Sequence, residues 1–489
     1  MLQVASQGWT WLRSNTAKKS LFIIVATLLA ANLSLIAISD SFRDRVRFWP
    51  VGGGSKSDVA GFMHVPDTPL NNSQFGERGN RVSQLGKWAD LLIENAPRDT
   101  GLFEEALVRQ FPFLGGALGS IYTPWSLSEK QSGGLPSHQP SYVICAGSKN
   151  MDMAAHLVRT LRRVLGSQVP IEIAYGGEED LMPEHRKFLA ELEPGVSFID
   201  LLQRFPAARR DLVKSGWGMK PFALLAAASP RALLLDADAM FLTNPDSLFD
   251  VHPGLRRTGT LFFHDRAMRG GEDSRREWVR AQLEAAGRQP SRYLAEESLF
   301  YRGVTWWEQE SGVVAVDRTN PRVFLGLAFA AWMNTKDVRE EVTYTTFHGD
   351  KETFWLAMEL AGFEYYFQPW YAGMLGTITD GEAGRDLARE NVEVCGRHMV
   401  HLDHLGVPFW FNGGVYDNKD HPEGGYAELS HYLVGNLTGE MPQWYPNMDR
   451  GVACMNGVGA KPLPEEIKRN VQRMDEEAAR VAEEIKKLS

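Results

Sequence analysis

The segment Arg231-Ala-Leu-Leu-Leu-Asp-Ala-Asp-Ala-Met-Phe-Leu-Thr-Asn-Pro245 joins an unbroken apolar run to two carboxylates. Residues 232–235 are all apolar, and Asp236 and Asp238 follow directly. Such a run, without polar alternation, is typical of a strand buried on both faces of a parallel sheet. Ligands of open α/β sheets bind at the carboxyl ends of these strands. The segment therefore predicts an α/β fold with a ligand site beside the two aspartates.

The spacing of Asp236 and Asp238 indicates what that ligand is. Residues i and i+2 of an extended segment point to the same side, so both carboxylates can meet one cation. Carboxylate oxygens suit hard ions such as Mn²⁺ or Mg²⁺, which bridge protein carboxylates to substrate phosphates. The sequence predicts a metal-bound, phosphorylated ligand here.

Strand and helix patterns alternate on the N-terminal side of this segment. Strands are predicted at 142–146, 171–174 and 196–199, and helices at 152–165, 183–192 and 219–228. This order implies right-handed βαβ units and a mostly parallel, Rossmann-like central sheet flanked by helices. Gly147 and Ser148 follow the first strand, where backbone N–H groups can hold a phosphate or a nucleobase edge.

Later patterns extend the same domain. Strands are predicted at 259–263, 312–316 and 399–402, and helices at 321–333 and 352–361. An amphipathic helix from 461 to 489 carries an apolar stripe from Ile467 to Ile485. The stripe fits either docking on its own domain, the favoured interpretation, or a heptad seam through which the protein forms an oligomer.

Composition limits the function classes. A net charge of −9, with no basic stripe beyond the N-terminus, argues against a nucleic-acid partner. Three cysteines are too few for a disulfide scaffold, although Cys395 and Cys454 could form one bridge in an oxidising compartment.

The N-terminus predicts membrane attachment. Residues 21–38 carry no charge and as a helix span about 27 Å, close to the hydrocarbon thickness of a bilayer. We therefore predict a cytoplasmic tail (1–20), an uncleaved signal anchor (21–39), a stem (40–80), a helical and loop extension (81–140) and a catalytic domain (141–460). A cleaved signal peptide is the alternative, because residues 37–39 weakly resemble a cleavage site. Sequons at Asn71 and Asn436 would be usable if the bulk of the chain is lumenal.

Four blocks, at 216–240, 310–317, 349–355 and 401–413, together resemble the fungal Golgi α-mannosyltransferases that include the α-1,3-mannosyltransferase group. The resemblance covers roughly residues 140 to 415. It implies a GT-A fold, a type II Golgi membrane protein with a lumenal catalytic domain, dependence on Mn²⁺, GDP-mannose as donor and a glycan or glycoprotein as acceptor.

The resemblance also implies roles for particular residues. GT-A enzymes often add a histidine as a third metal ligand, for which His401 and His404 are the candidates. Lys220 is expected to contact the donor phosphates, and Gly312 to allow close backbone approach. Asp350, Glu352 and Glu310 are the candidate catalytic carboxylates facing the sugar or the acceptor. The linkages of this family retain the α configuration, by a covalent intermediate or by a front-face route, and the sequence does not separate the two.

Three rival functions remain open at this stage. The donor could be a UDP-sugar, since no residue of the pattern reads the base. An apolar strand ending in Asp-x-Asp also opens phosphohydrolases of the haloacid dehalogenase type, in which the first Asp is the nucleophile. A non-catalytic scaffold that binds glycans would keep the same fold.

Overall fold

The computed structural model describes residues 65–94, 100–126, 139–268, 270, 273–379, 385–435, 443–448 and 451–488. Residues 65–489 form one compact unit. The predicted tail and membrane anchor, most of the stem, and the sequon at Asn436 lie outside the described residues. Among the helices that are described, none combines the length and apolarity needed to cross a bilayer.

A six-stranded mixed sheet forms the centre, in the order β3-β2-β1-β4-β7-β6. Its strands are β1 (Ser141–Cys145), β2 (Ile171–Tyr175), β3 (Val196–Asp200), β4 (Arg231–Asp236), β6 (Thr260–His264) and β7 (Gln309–Asp317). The four strands β1 to β4 are parallel, as predicted. The sheet is mostly parallel, as expected, with one exception: β7 runs antiparallel to both β4 and β6, so five of the six strands share one direction. An apolar run predicts a buried strand but carries no information on its direction.

Helices cover both faces of this sheet. Those of five or more residues are α1 (Phe75–Glu94), α2 (Gly101–Gln110), α3 (Met151–Arg159), α4 (Pro183–Leu192), α5 (Lys220–Ala226), α6 (Pro253–Thr258), α7 (Asp273–Ala285), α8 (Arg292–Glu296), α9 (Pro321–Met333), α10 (Thr353–Ala361) and α11 (Glu465–Ile485). Shorter helical segments include Leu201–Arg204, Arg209–Leu212, Leu248–Val251, Lys336–Val338 and Tyr344–Thr346, with π-helical turns at Thr160–Val164 and Arg339–Thr343. α1 begins at Phe75, inside the segment predicted as stem.

Two hydrophobic cores lie on opposite faces of the sheet. Leu234 belongs to the core shared with α1, α5, α9 and α10, whereas Leu233 and Leu235 belong to the core shared with α3, α4 and α11. Successive residues of a strand point to opposite faces, so β4 is buried on both sides. This confirms the interpretation of its apolar run.

The C-terminal helix α11 docks on its own domain. Its stripe residues Ile467, Val471, Met474, Ala478 and Val481 are buried in the core that also contains α3. The helix is further held by Arg159, which donates to Glu484 at 2.9 Å. The stripe that suggested an oligomer seam is therefore occupied within the chain.

A second, antiparallel sheet was not predicted. It consists of β8 (Gly373–Ile378), β9 (Val392–Leu402), β11 (His431–Leu433), β12 (Gln443–Asn447), β13 (Val452–Gly457) and β14 (Lys461–Pro462). A disulfide joins Cys395 of β9 to Cys454 of β13, the pairing that the sequence left open.

One pairing of this sheet positions the candidate site. The short strand β5 (Ala239–Phe241) directly follows Asp238 and pairs with β10 (Pro408–Asn412), which in turn pairs with β9. The loop after β10 is thereby brought over the two aspartates.

Candidate active site

The carboxyl ends of β1, β2 and β4 open into a cavity of ≈ 2120 Å³. Asp236 is the last residue of β4 and Asp238 lies in the turn after it, and both line the cavity. β1 ends alongside β4, with Cys145 in register with Asp236. The placement predicted from the sequence is the placement observed.

Lys220, the first residue of α5, is buried between carboxylates. Its Nζ donates to Asp236 at 2.9 Å and to Ser311 Oγ at 3.1 Å, and lies 3.6 Å from Asp350 Oδ2. Burial by itself lowers the pKa of Lys220, but Asp236, Asp350 and Glu310 outweigh it and raise that pKa. With a side chain only 4% exposed, Lys220 is a permanently charged ammonium inside the cavity wall.

The loop after β10 supplies a second lysine. Lys419 Nζ donates to Asp238 Oδ2 at 2.6 Å, with its own side chain 44% exposed. The backbone N–H groups of Gly413 and Gly414 both donate to the Asp238 carbonyl, at 3.2 and 2.8 Å. Both glycines have positive φ, 121° and 74°, which residues with a Cβ rarely adopt. This glycine pair fixes the loop against the second aspartate.

Three carboxylates of the site, Asp236, Asp350 and Glu310, hold protons more tightly than in water, because the pKa of each is raised. Burial raises the pKa of Asp236 to about 6; Lys220 opposes this shift, and Asp238 and Asp350 add to it. Burial likewise raises the pKa of Asp350. Burial, reinforced by Asp265, raises the pKa of Glu310 to about 7. A site in which buried carboxylates outnumber nearby cations favours an additional positive charge, and the oxygen donors of Asp236 and Asp238 fit a hard divalent cation.

The predicted histidine ligands lie elsewhere. His401 is buried with its ring stacked on Trp410, centroids 3.9 Å apart, and neither ring nitrogen has a hydrogen-bond partner among the residues that the structure describes. Burial lowers the pKa of His401 to about 3. His404 lies against His252, with ring centroids 5.4 Å apart. Neither residue is among the described residues that line the cavity: His401 packs against Phe263 and Trp410, and His404 follows the end of β9.

A different histidine of β9, His398, does line the cavity. Its Cδ2 lies 3.0 Å from where a Cβ of Gly413 would stand, next to the glycine pair that binds Asp238. Burial lowers the pKa of His398 to about 4, so the ring is neutral, and its Nε2 lies 3.1 Å from the Tyr416 carbonyl. Among the described residues, three carboxylate, imidazole or thiol ligand atoms come within 4.8 Å of one another only at Glu393, Cys395 and Cys454, where the two sulfurs form the disulfide.

Two of the predicted catalytic carboxylates face the cavity. Asp350 and Glu310 line it, and Glu310 Oε1 accepts from the Gly312 N–H at 2.9 Å and from Asn412 Nδ2 at 3.2 Å. Gly312 is not part of the lining, and its N–H is taken by Glu310. A Cβ atom at Gly312 would lie 3.2 Å from the Trp410 ring.

The third predicted carboxylate, Glu352, lies outside the cavity lining. It is fully buried and accepts from the Glu308 N–H at 3.0 Å and from the Trp355 indole N–H. This arrangement holds the loop before α10, and thereby supports Asp350 without contacting the cavity.

Gly147 and Ser148 line the cavity, but the Gly147 N–H that was expected to meet a ligand donates to Asn150 Oδ1 at 2.8 Å. The Ser148 N–H donates to the Asp180 carbonyl at 2.7 Å, and Asp180 also lines the cavity. Trp217, 52% exposed, stands at the cavity with its ring 5.5 Å from that of His348. Lys419, His398 and Asp180 all come from loops or strands whose approach to the aspartates depends on the tertiary fold.

The chain is similar to known mannosyltransferases. Residues 142–403 match the family model described as "Mannosyltransferase putative". Alpha-1,3-mannosyltransferase MNN1 of Saccharomyces cerevisiae is 25% identical over 319 residues, which are 56% of this chain and 40% of that protein. Alpha-1,3-mannosyltransferase MNT3 of the same yeast is 22% identical over 321 residues, 61% of this chain and 48% of that protein. The chain thus spans less than half the length of these relatives.

Among solved structures, the mannosyltransferase Ktr4p from S. cerevisiae in complex with GDP aligns over 57% of this chain and 84% of its own, at 12% identity. The TM-score of this alignment is 0.30.

Proposed function

We propose that this chain, which belongs to the mannosyltransferase family whose model it matches, transfers a mannosyl group from GDP-mannose to a glycan or glycoprotein acceptor. The observation that carries this proposal is the pair Asp236 and Asp238 at the carboxyl edge of the sheet, with Lys220 buried between Asp236 and Asp350. We further propose a GT-A fold, α-1,3 linkage and retention of the donor's α configuration, following the family resemblance and the names of the relatives.

The donor half of the site would use the chain's own charges. A divalent cation, Mn²⁺ or Mg²⁺, held by Asp236 and Asp238, would neutralise the diphosphate that leaves when the anomeric bond breaks. Lys220 holds Asp236 in place through its 2.9 Å hydrogen bond. Lys419, on a half-exposed loop, supplies an ammonium at the cavity surface that suits a phosphate oxygen.

The acceptor half would use the buried carboxylates. Asp350 and Glu310 line the cavity on the side of Lys220 and Ser311. We assign to Asp350 the binding of the acceptor hydroxyl and the stabilisation of positive charge at the anomeric carbon. Glu310, whose pKa of about 7 allows both protonation states near neutrality, binds a sugar hydroxyl as donor or acceptor.

The proposed location is the Golgi lumen, behind the predicted N-terminal anchor. The Cys395–Cys454 disulfide supports this, because disulfides persist in oxidising secretory compartments and are rare in the cytosol. The half-exposed to exposed sequon at residues 71–73 is compatible with glycosylation in the same compartment.

The test is transfer by the full-length chain, purified in detergent, from GDP-mannose to a mannose oligosaccharide with Mn²⁺. We expect Asp236→Asn and Asp238→Asn each to lower transfer by about 100-fold or more, since each removes a metal-binding charge. The control Asp337→Asn removes a surface charge that pairs with Arg210 and should keep full activity.

Full transfer by both site variants would contradict the assignment. Donor binding by the wild-type chain without transfer would favour the scaffold function. Release of phosphate from phosphate esters, dependent on Asp236, would favour the phosphohydrolase. The fold argues against that function, because three strands of the sheet precede β4 in the chain, whereas that enzyme class places its aspartates on the first strand.

A further inference from the structure

Asp180 lies in the cavity on the far side of β1 from the two metal-binding aspartates. β1 pairs with β4 on one side and with β2 on the other, so that Cys145 stands between Asp236 and Ala174. Neighbouring strands are about 4.8 Å apart, which places the loop after β2 roughly 10 Å from the end of β4. Asp180 belongs to that loop, and its backbone is tied to the loop after β1 through the 2.7 Å bond from the Ser148 N–H.

One carboxylate oxygen of Asp180 accepts a hydrogen bond within the described part of the chain, and the other accepts none there. Oδ2 accepts from the Gly176 N–H at 2.7 Å. Oδ1 accepts no hydrogen bond from the described part of the chain, and Asp180 is only half-buried. The absence of a side chain at Gly147 keeps this oxygen uncovered, since a Cβ there would stand 2.6 Å from Oδ1. The result is a carboxylate oxygen presented to the cavity, in a loop whose shape is fixed by hydrogen bonds.

A nucleoside diphosphate fits this spacing. With its diphosphate at Asp236 and Asp238, its ribose crosses the end of β1 and its base reaches the loop after β2. Of the common bases, guanine presents two adjacent donors, N1–H and the 2-amino group, on one edge. A carboxylate accepts both, because each oxygen has two lone pairs. Uracil presents a single N–H between two carbonyl oxygens, which a carboxylate repels.

We propose that Asp180 is the residue that selects guanine, by accepting hydrogen bonds from N1–H and the 2-amino group of the donor nucleotide. This inference rests on the proposed function and decides between its GDP-sugar and UDP-sugar forms. Asp180 is a specificity residue and takes no part in the transfer step.

The test is nucleotide binding to the full-length chain in detergent with Mn²⁺, measured by calorimetry for GDP, IDP, xanthosine diphosphate and UDP. IDP lacks the 2-amino group, and xanthosine diphosphate replaces it with a carbonyl. We expect the wild-type chain to bind GDP at least tenfold more tightly than IDP, and more tightly again than UDP. In Asp180→Asn, GDP binding should weaken at least tenfold and xanthosine diphosphate binding should strengthen, because the amide N–H₂ donates to the xanthine carbonyl.

The asparagine variant keeps the loop, since its amide oxygen still accepts from Gly176. The matched control is Glu184→Gln, an exposed carboxylate on α4 outside the cavity, which should leave all four affinities unchanged. Equal preference of wild-type and Asp180→Asn for GDP would overturn the inference while leaving the proposed function standing. If Asp180→Asn fails to fold, the wild-type chain still tests the inference. Equal affinities of the wild-type chain for GDP and IDP, or a higher affinity for UDP than for GDP, would overturn it. Failure of the wild-type chain to bind any nucleoside diphosphate would contradict the proposed function itself.

Discussion

Replacing the buried lysine of the site should destabilise the metal-free protein far more than replacing the exposed one. Lys220→Met keeps side-chain volume but removes the ammonium that lies 2.9 Å from Asp236 and 3.6 Å from Asp350. Asp350 then remains buried, and Asp236, whose side chain is 22% exposed, remains at the cavity wall, both without this counter-ion. Lys419→Met removes an ammonium of the same charge from Asp238, but from a side chain that is 44% exposed.

The magnitudes follow from burial. At an effective dielectric constant near 20, each of the two Lys220 contacts contributes about 5 kcal/mol of Coulomb attraction, much of which is offset by the cost of burying the ions. Removing one partner of such a buried group costs about 3–5 kcal/mol, because the remaining charge is uncompensated. In the Lys419–Asp238 pair the aspartate is only 12% exposed but the lysine is 44% exposed, so solvent screens the pair and its contribution should lie near the roughly 0–1 kcal/mol of surface pairs.

The assay is urea unfolding of the chelated protein at pH 7.5, followed by the same titration with saturating Mn²⁺. We expect a large loss of unfolding free energy for Lys220→Met and a small one for Lys419→Met. Mn²⁺ should restore part of the loss in Lys220→Met, because a cation bound to the native state neutralises Asp236 and stabilises by mass action. Equal losses in the two variants without metal would refute the view that Lys220 is the counter-ion of these carboxylates.

Three further predictions concern the surroundings of the site. Glu310→Gln should make the stability of the metal-free protein less sensitive to pH. Burial raises the folded pKa of Glu310 from 4.5 to about 7, so the stability of the wild-type protein falls as pH rises through that window. Urea midpoints should therefore show the variant to be more stable than the wild type by about 1–3 kcal/mol at pH 8 but not at pH 4. Arg318→Met should lower the unfolding free energy by about 3 kcal/mol or more. The reason is that this buried guanidinium donates to the carbonyls of Leu225, Ala227 and Ser229, at and just after the end of α5. A loss under 1 kcal/mol in thermal melts would be inconsistent with that role. Reduction of Cys395–Cys454, which closes a loop of 59 residues, should cost about 2–4 kcal/mol, and Cys395→Ser should reproduce the loss without reductant.

The strand ending in Asp236 and the alternation before it were predictable because local chemistry decides them. A short apolar run bounded by turn residues favours a buried strand, and the helices between such runs follow from periodicity and capping. The helices at 183–192 and 321–333 were predicted to the residue. The antiparallel direction of β7 was not predicted, because it depends on the end of the sheet at which the chain enters this strand.

The histidine shows where this reasoning stops. His398 and His401 lie three residues apart on one strand, so they face opposite sides of it. The sequence identifies histidines near the end of a strand but not which face of that strand meets the cavity. The pairing of β10 with β5 decides this, by placing Gly413 between Asp238 and His398.

The sequence by itself determined that this chain builds an α/β core with Asp236 and Asp238 at one edge, because short-range patterning and residue chemistry suffice for that. Only the tertiary structure decided which other groups surround them: Lys419, Asp180 and His398 come from elements far from β4 in the chain. The physical reason is that electrostatic and metal-binding partners are selected by distance in space, and distance in space is set by strand pairing and core packing.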